Sequence, residues 1–228
     1  MGPDATVDFM AKVIARTDAS RDQDHVRMLV DHNPNVPNRQ EAILAAGEDP
    51  GPALAAMAAG LEAGGADFLV IPCNTAYVFE SAILTATSIP LVSIITESVA
   101  AVRNSAPEPA SVGLLATDGC LQAGIYQAGI ESAGMITVLP TATEIDEIMT
   151  LIDAVKAGRQ TEQTAAAMSG LAAALVSRGA DAIIAGCTEI PLVLNSADVS
   201  VPLISSTDAL AEKTVKLATG EEPLPPRH

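Results

Sequence analysis

Short apolar runs alternate with longer, alanine-rich amphipathic stretches along most of the chain. The runs at 26–31, 68–71, 91–94, 111–116, 136–139, 182–185 and 203–205 read as strands, each bounded by Gly, Pro or Asp. Several are continuously apolar instead of alternating. Strands of that kind are buried on both faces, as in parallel sheets covered by crossover helices, so the expected class is α/β. Val7, Met10 and Ile14 mark an amphipathic first helix. Thr143 with Asp146 three residues on predicts a capping box, and Thr161 and Thr207 are candidate caps for the helices that follow them. The proline-rich residues 221–228 read as a frayed tail.

One pattern repeats. Gly65-Ala66-Asp67 and an apolar run lead to Cys73-Asn74-Thr75, and Gly179-Ala180-Asp181 and an apolar run lead to Cys187-Thr188-Glu189. Each half of the chain therefore reads as helix, turn, strand, cysteine, helix. In open parallel sheets ligands bind at the carboxyl ends of strands, where both cysteines fall. Taken singly, such a turn is common and a cysteine is often a small core residue. The matching polar residues behind both cysteines favour chemistry.

Composition narrows that chemistry. The 228 residues carry 12 Lys plus Arg against 28 Asp plus Glu, a net charge of −16. This excludes a nucleic-acid partner, which needs a cationic stripe to displace counterions. At 49% apolar and 18% charged residues the chain is globular rather than disordered. No run is apolar enough for a membrane span and no signal-peptide pattern opens the chain, so a cytoplasmic protein with free thiols is expected. His25, His32 and His228 are scattered and no cysteine has a close metal-ligand neighbour, so no metal is expected. Neither a Walker loop nor a dinucleotide fingerprint is present; a pyridoxal lysine stays open on residue evidence alone.

Two thiols facing one carbon suit proton removal on one side and proton return on the other. A thiolate is the base and a neutral thiol the acid, so the pair needs opposite protonation states at one pH.

At Pro72-Cys73-Asn74-Thr75-Ala76 and Gly186-Cys187-Thr188-Glu189-Ile190-Pro191 the sequence resembles the aspartate/glutamate racemase family, in its aspartate racemase branch. Residues 31–39, 113–119, 124–126 and 155–158 extend the likeness over nearly the whole chain. The resemblance implies a cofactor-independent amino-acid racemase with two pseudo-symmetric α/β lobes, 1–100 plus 206–228 and 101–205, a substrate cleft between them, and a homodimer. It implies Cys73 and Cys187 as the catalytic pair, Arg39 as the grip on substrate carboxylate, and Asn74, Thr75, Thr117, Lys156, Thr188 and Glu189 around the substrate. On the residues alone, Arg39 and Lys156 could equally be a solvated turn arginine and a helix-end lysine. The alternatives are an isomerase or racemase of another small carboxylate, and a noncatalytic carboxylate-binding homologue.

Three positions depart from the family pattern. Tyr77 stands where a histidine is common and Cys120 where a threonine is usual, which suggests altered specificity. Family members open with an apolar strand and a Gly-Gly-Met-Gly-Pro loop, whereas Met1-Gly2-Pro3 lies within that loop. The first strand of the N-terminal lobe is therefore expected to be missing.

Overall fold

The computed structural model describes residues 2–105 and 110–227. Met1, where the missing-strand expectation rests, and His228 lie outside the described residues. The chain divides into two compact units, Met1–Ile94 with Thr207–His228, and Ile95–Ser206.

The first unit opens with α1 (Pro3–Arg16), followed by α2 (Arg39–Leu44), α3 (Gly51–Ala63), β1 (Leu69–Val70), α4 (Glu80–Ala86) and β2 (Leu91–Val92). β1 pairs in parallel with β2, Leu69 opposite Leu91 and Val70 opposite Val92. Residues 26–31, expected as a strand, enter no ladder among the described residues. Leu54, Ala58, Leu69, Ala76, Ile83 and Ile89 form the core. The apolar face of α1 also differs from expectation: Ala5, Phe9 and Val13 are buried, whereas Val7 and Ile14 are 67% and 49% exposed. Phe9 and Val13 are four residues apart and share a face; the larger ring decides which face turns inward.

The second unit comprises α5 (Ile94–Ser105, whose first residue belongs to the other unit), β3 (Ser111–Leu115), α6 (Asp118–Ala123), α7 (Ile125–Ser132), β4 (Ile136–Val138), α8 (Ala142–Lys156), α9 (Glu162–Ser177), β5 (Ala182–Ala185) and β6 (Leu203–Ser205). Its four strands are ordered β4-β3-β5-β6 and all pairs are parallel. β3 and β5 are central and covered by helices, which explains their uninterrupted apolar runs. Gly113 is a close-approach position, because a Cβ there would stand 2.4 Å from Ile183 Cδ1 and 3.1 Å from Leu175 Cβ. α10 (Ser206–Ala218) returns the chain to the first unit.

The two Gly-Ala-Asp turns share one geometry. Gly65 and Gly179 have φ of 91° and 97°, left-handed values that favour glycine. The following amides close the preceding helix end in the same register, Ala66 N–H to Leu61 O at 3.1 Å and Ala180 N–H to Leu175 O at 3.2 Å. The capping box of α8 is Thr141 with Glu144, not Thr143 with Asp146. A glutamate reaches back to the cap amide more readily than the shorter aspartate, and Pro140 fixes the approach. Thr161 caps α9 as expected. Thr207 lies inside α10 and accepts a bond from Lys12 Nζ at 2.8 Å. The expected frayed tail is tied at Glu222, whose N–H bonds Lys216 O at 3.0 Å and whose carboxylate meets Lys213.

Candidate active site

In the first unit, β1 delivers the chain through Pro72 to Cys73, which is half-buried at the start of a 3₁₀ helix, Asn74–Phe79. Cys73 N–H bonds Ile71 O at 2.8 Å and Ala76 N–H bonds Cys73 O at 3.2 Å, so the residue sits in a tight strand-to-helix corner. Asn74 and Thr75 behind it are buried, 3% and 6% exposed. Tyr77 holds this corner. Its hydroxyl donates to Val92 O at 2.6 Å and accepts from Ile71 N–H at 3.3 Å, linking the ends of β1 and β2. Burial raises its pKa far above the ordinary phenol value, so it stays a neutral donor. The residue standing in the family's histidine position is thus a structural tie beside Cys73.

Arg39 opens α2, which packs against the 3₁₀ helix of Cys73. Its Nη1 donates to Val36 O at 3.2 Å and Pro37 O at 2.9 Å, while its buried Nε has no partner among the described residues. Part of the guanidinium therefore secures the 36–39 turn.

In the second unit, β5 delivers the chain through Gly186 to Cys187. Gly186 permits close packing, since a Cβ would lie 3.1 Å from both Leu114 Cδ1 and Tyr126 Cε2. Cys187 is buried, and its Sγ–H donates to Glu189 Oε2 at 3.0 Å. Thr188 Oγ1 donates to the same oxygen at 3.2 Å. Thr188 and Glu189 are themselves buried. Burial first, and then the Glu189 carboxylate, hold the Cys187 thiol well above its ordinary pKa, opposed weakly by the charge of Lys156. At neutral pH Cys187 is a protonated thiol. Lys156, near the end of α8, is half-exposed and 3.7 Å from Asp153.

Thr117 is buried at the N-cap of α6. Cys120 follows in the first turn of that helix and is fully buried. It is a helix core residue rather than part of an open loop.

The second unit therefore brings Cys187, Thr188 and Glu189 together with Lys156 within electrostatic reach, and the first gathers Cys73, Asn74 and Thr75 with Arg39's helix alongside. The thiol-to-carboxylate bond was not foreseen; its only signal is the two-residue spacing of Cys187 and Glu189 after a strand. Among the described residues, no group of three or more His, Cys, Asp or Glu side chains is placed to hold a metal ion.

The Asp/Glu/hydantoin racemase family model matches residues 1–214. The chain belongs to that family. Racemisation as a reaction class makes it an isomerase. The broad-specificity amino-acid racemase RacX of Bacillus subtilis is 30% identical over 220 residues, covering 94% of this chain and 93% of RacX. Among solved structures, the aspartate racemase of Picrophilus torridus superposes with a TM-score of 0.85 at 28% identity, covering 98% of this chain and 92% of that one. An aspartate racemase homologue from Pyrococcus horikoshii gives a TM-score of 0.75 at 23% identity, covering 95% of each chain, and shares the fold. No helix among the described residues is long and apolar enough to cross a membrane.

Proposed function

We propose that this racemase interconverts L- and D-aspartate or glutamate without a cofactor, using Cys73 and Cys187 as its two proton-transfer groups. The carrying observation is the duplicated module. In each unit a left-handed glycine turn feeds a parallel strand, and a cysteine followed by buried polar residues stands at that strand's carboxyl end.

The surroundings of Cys187 suit the acid's part of two-base chemistry. Cys187, buried and hydrogen-bonded to Glu189, begins as the neutral acid. Cys73, as thiolate, takes the Cα proton and becomes a thiol; Cys187 gives its proton to the opposite face of the carbanion and becomes a thiolate. No electrons are transferred to or from the protein, and the starting state returns by the reverse turnover or by exchange of the thiol protons with water. Arg39 and Lys156 would hold the substrate carboxylates against the chain's charge of −16, with Asn74, Thr75, Thr117 and Thr188 as hydrogen-bonding partners.

The similarity to RacX favours a second substrate reading, a wider range of amino acids. One screen separates the readings: Cα deuterium incorporation in D₂O across a panel of amino acids. Label in aspartate or glutamate alone supports the first, and label across many supports the second. Binding without label in any would point to a noncatalytic homologue. A cytoplasmic homodimer completes the proposal, with sedimentation as its check.

A further inference from the structure

The sheet register of the second unit sets two site positions side by side. Leu115 of β3 lies opposite Ala185 of β5, and Gly186 N–H bonds Leu115 O at 2.7 Å. Thr117 and Cys187 each stand two residues beyond that pair, past the carboxyl ends of neighbouring parallel strands. A Cβ placed on Gly186 would lie 3.3 Å from Ala116 Cβ, so the two chains stay close after the last ladder pair. The direction in which Thr117 is presented therefore bears on whatever meets the Cys187 thiol.

Thr117 is the N-cap of α6, where a threonine side chain ordinarily accepts a bond from the helix's first amides. Its side chain makes no such cap bond. The acceptor comes from another helix instead: Asp118 N–H donates to Met149 Sδ of α8 at 3.4 Å. The Asp118 carboxylate is turned to Gln122, whose Nε2 donates to Oδ1 at 3.2 Å. Ile148, Ile152 and Val155 bury the apolar face of α8, and half-buried Met149 stands on its flank. Lys156 follows about two turns further along the same flank, and its charge reaches Cys187. One helix thus serves both strand ends, Met149 at that of Thr117 and Lys156 at that of Cys187.

We infer that Met149 is a positioning residue for Thr117: its sulfur takes the capping bond at the start of α6 and so sets how the Thr117 side chain is presented to substrate. The inference rests on the substrate role proposed above for Thr117. A thioether suits the task, since it is an acceptor on a long unbranched arm that reaches from one helix to the next. Met168 marks the contrast within the same unit. It is fully buried in the core beneath α8 and α9, where a methionine only fills space. The test uses Met149→Leu, which keeps the volume and removes the acceptor, and Met149→Gln, which keeps the length and supplies an oxygen. Met168→Leu controls for the loss of a thioether as such.

Amide hydrogen exchange at Asp118 should quicken roughly fivefold in Met149→Leu and stay near wild type in Met149→Gln and Met168→Leu. With the amino acid that takes up most Cα label in D₂O, Met149→Leu should raise KM about fivefold while kcat stays within about twofold, and Met149→Gln should restore KM. In a Thr117→Val background Met149→Leu should add almost nothing, because the sulfur acts through that side chain. Unchanged exchange in Met149→Leu, or faster exchange with an unchanged KM, overturns the inference. So does an equal rise in KM with and without Thr117, since Met149 is then packing alone. If the unmodified protein takes up no label, the racemase reading fails separately, and the same cycle is read from the aspartate dissociation constant by calorimetry. There an additive cycle, or no binding, overturns the inference.

Discussion

The two units use the same local code and complete it differently. Gly65 and Gly179 have matching backbone conformations and the cysteines follow at the same spacing, yet among the described residues β5 is a central strand of four whereas β1 has a single neighbour. Cys187 ends up buried, bonded to a carboxylate and held protonated; Cys73 ends up half-buried in a corner secured by Tyr77. A repeated motif thus fixes where a thiol stands along its strand, while its surroundings differ: burial and the Glu189 carboxylate act on Cys187, and Tyr77 secures the corner of Cys73. The proposed two-base chemistry calls for one thiol that starts protonated, and the surroundings of Cys187 favour that state.

The largest expected effect tests whether both halves are catalytic. Cys73→Ser and Cys187→Ser should each lower aspartate or glutamate racemisation by roughly 10²–10⁴-fold, the usual loss for a general acid or base. Cys120→Ser, in the first turn of α6, should keep most activity. Wild-type turnover in either of the first two variants would reduce the symmetry to a structural repeat.

Tyr77→Phe probes the sparser sheet. It removes the donor to Val92 O and the acceptor of Ile71 N–H, leaving buried backbone groups unpaired, and should cost about 2 kcal/mol. Tyr126→Phe in the second unit loses a bond to Ser98 Oγ at 3.2 Å but leaves its four-stranded ladder intact. Denaturant midpoints should therefore fall further for Tyr77→Phe. An equal or smaller fall would show that Tyr77 is no special support of the Cys73 corner.

These contrasts also show what was legible from residues. The limits of β5 and β6 coincide with their apolar runs, because a strand buried on both faces announces itself by composition. The run at 26–31 has aliphatic residues broken by Arg27 and stays unburied and, among the described residues, unpaired: composition reports a tendency, whereas a ladder needs a neighbour that only tertiary structure supplies. The face of α1 is ambiguous from sequence because Val7, Met10 and Ile14 fit a helical stripe as well as Phe9 and Val13 do. Two overlapping Thr-x-x-acid frames compete for the α8 cap, and residue types alone do not choose between them. At the site, strand-end cysteines and the polar residues behind them could be read directly. Arg39's bonds to Val36 and Pro37 and the acceptor role of Glu189 depend on side-chain direction, which spacing does not encode.

Glu189→Gln sharpens the protonation contrast. With the carboxylate gone, Cys187 loses the charge and acceptor that help hold its pKa up, so its pKa should fall. If Cys187 is the resting acid, the alkaline limb of the kcat/KM profile should move to lower pH and turnover near neutrality should drop roughly tenfold. An unmoved limb would separate Glu189 from the proton balance of Cys187.

The smallest effect concerns the support of the second unit's helix layer. Glu144 accepts from Arg178 Nη1 and Nη2 at 2.9 and 2.8 Å, joining the first turn of α8 to the end of α9, and its carboxylate also receives Thr141 N–H at 2.7 Å. These bonds, the Arg178 pair foremost, draw its pKa down to about 2. A carboxyl depressed on folding binds protons more weakly in the native state, so its stabilisation is complete above the ordinary glutamate pKa of about 4.3 and disappears as pH falls toward 2. Solvent screens the pair, whose Arg178 and Glu144 side chains are 34% and 19% exposed, so its worth is about 1 kcal/mol or less. Arg178→Ala should lower stability by that amount at pH 7 and flatten its fall between about pH 5 and 2. An unchanged acid limb would place the pH dependence of this unit elsewhere and leave the bidentate pair as orientation without net stabilisation.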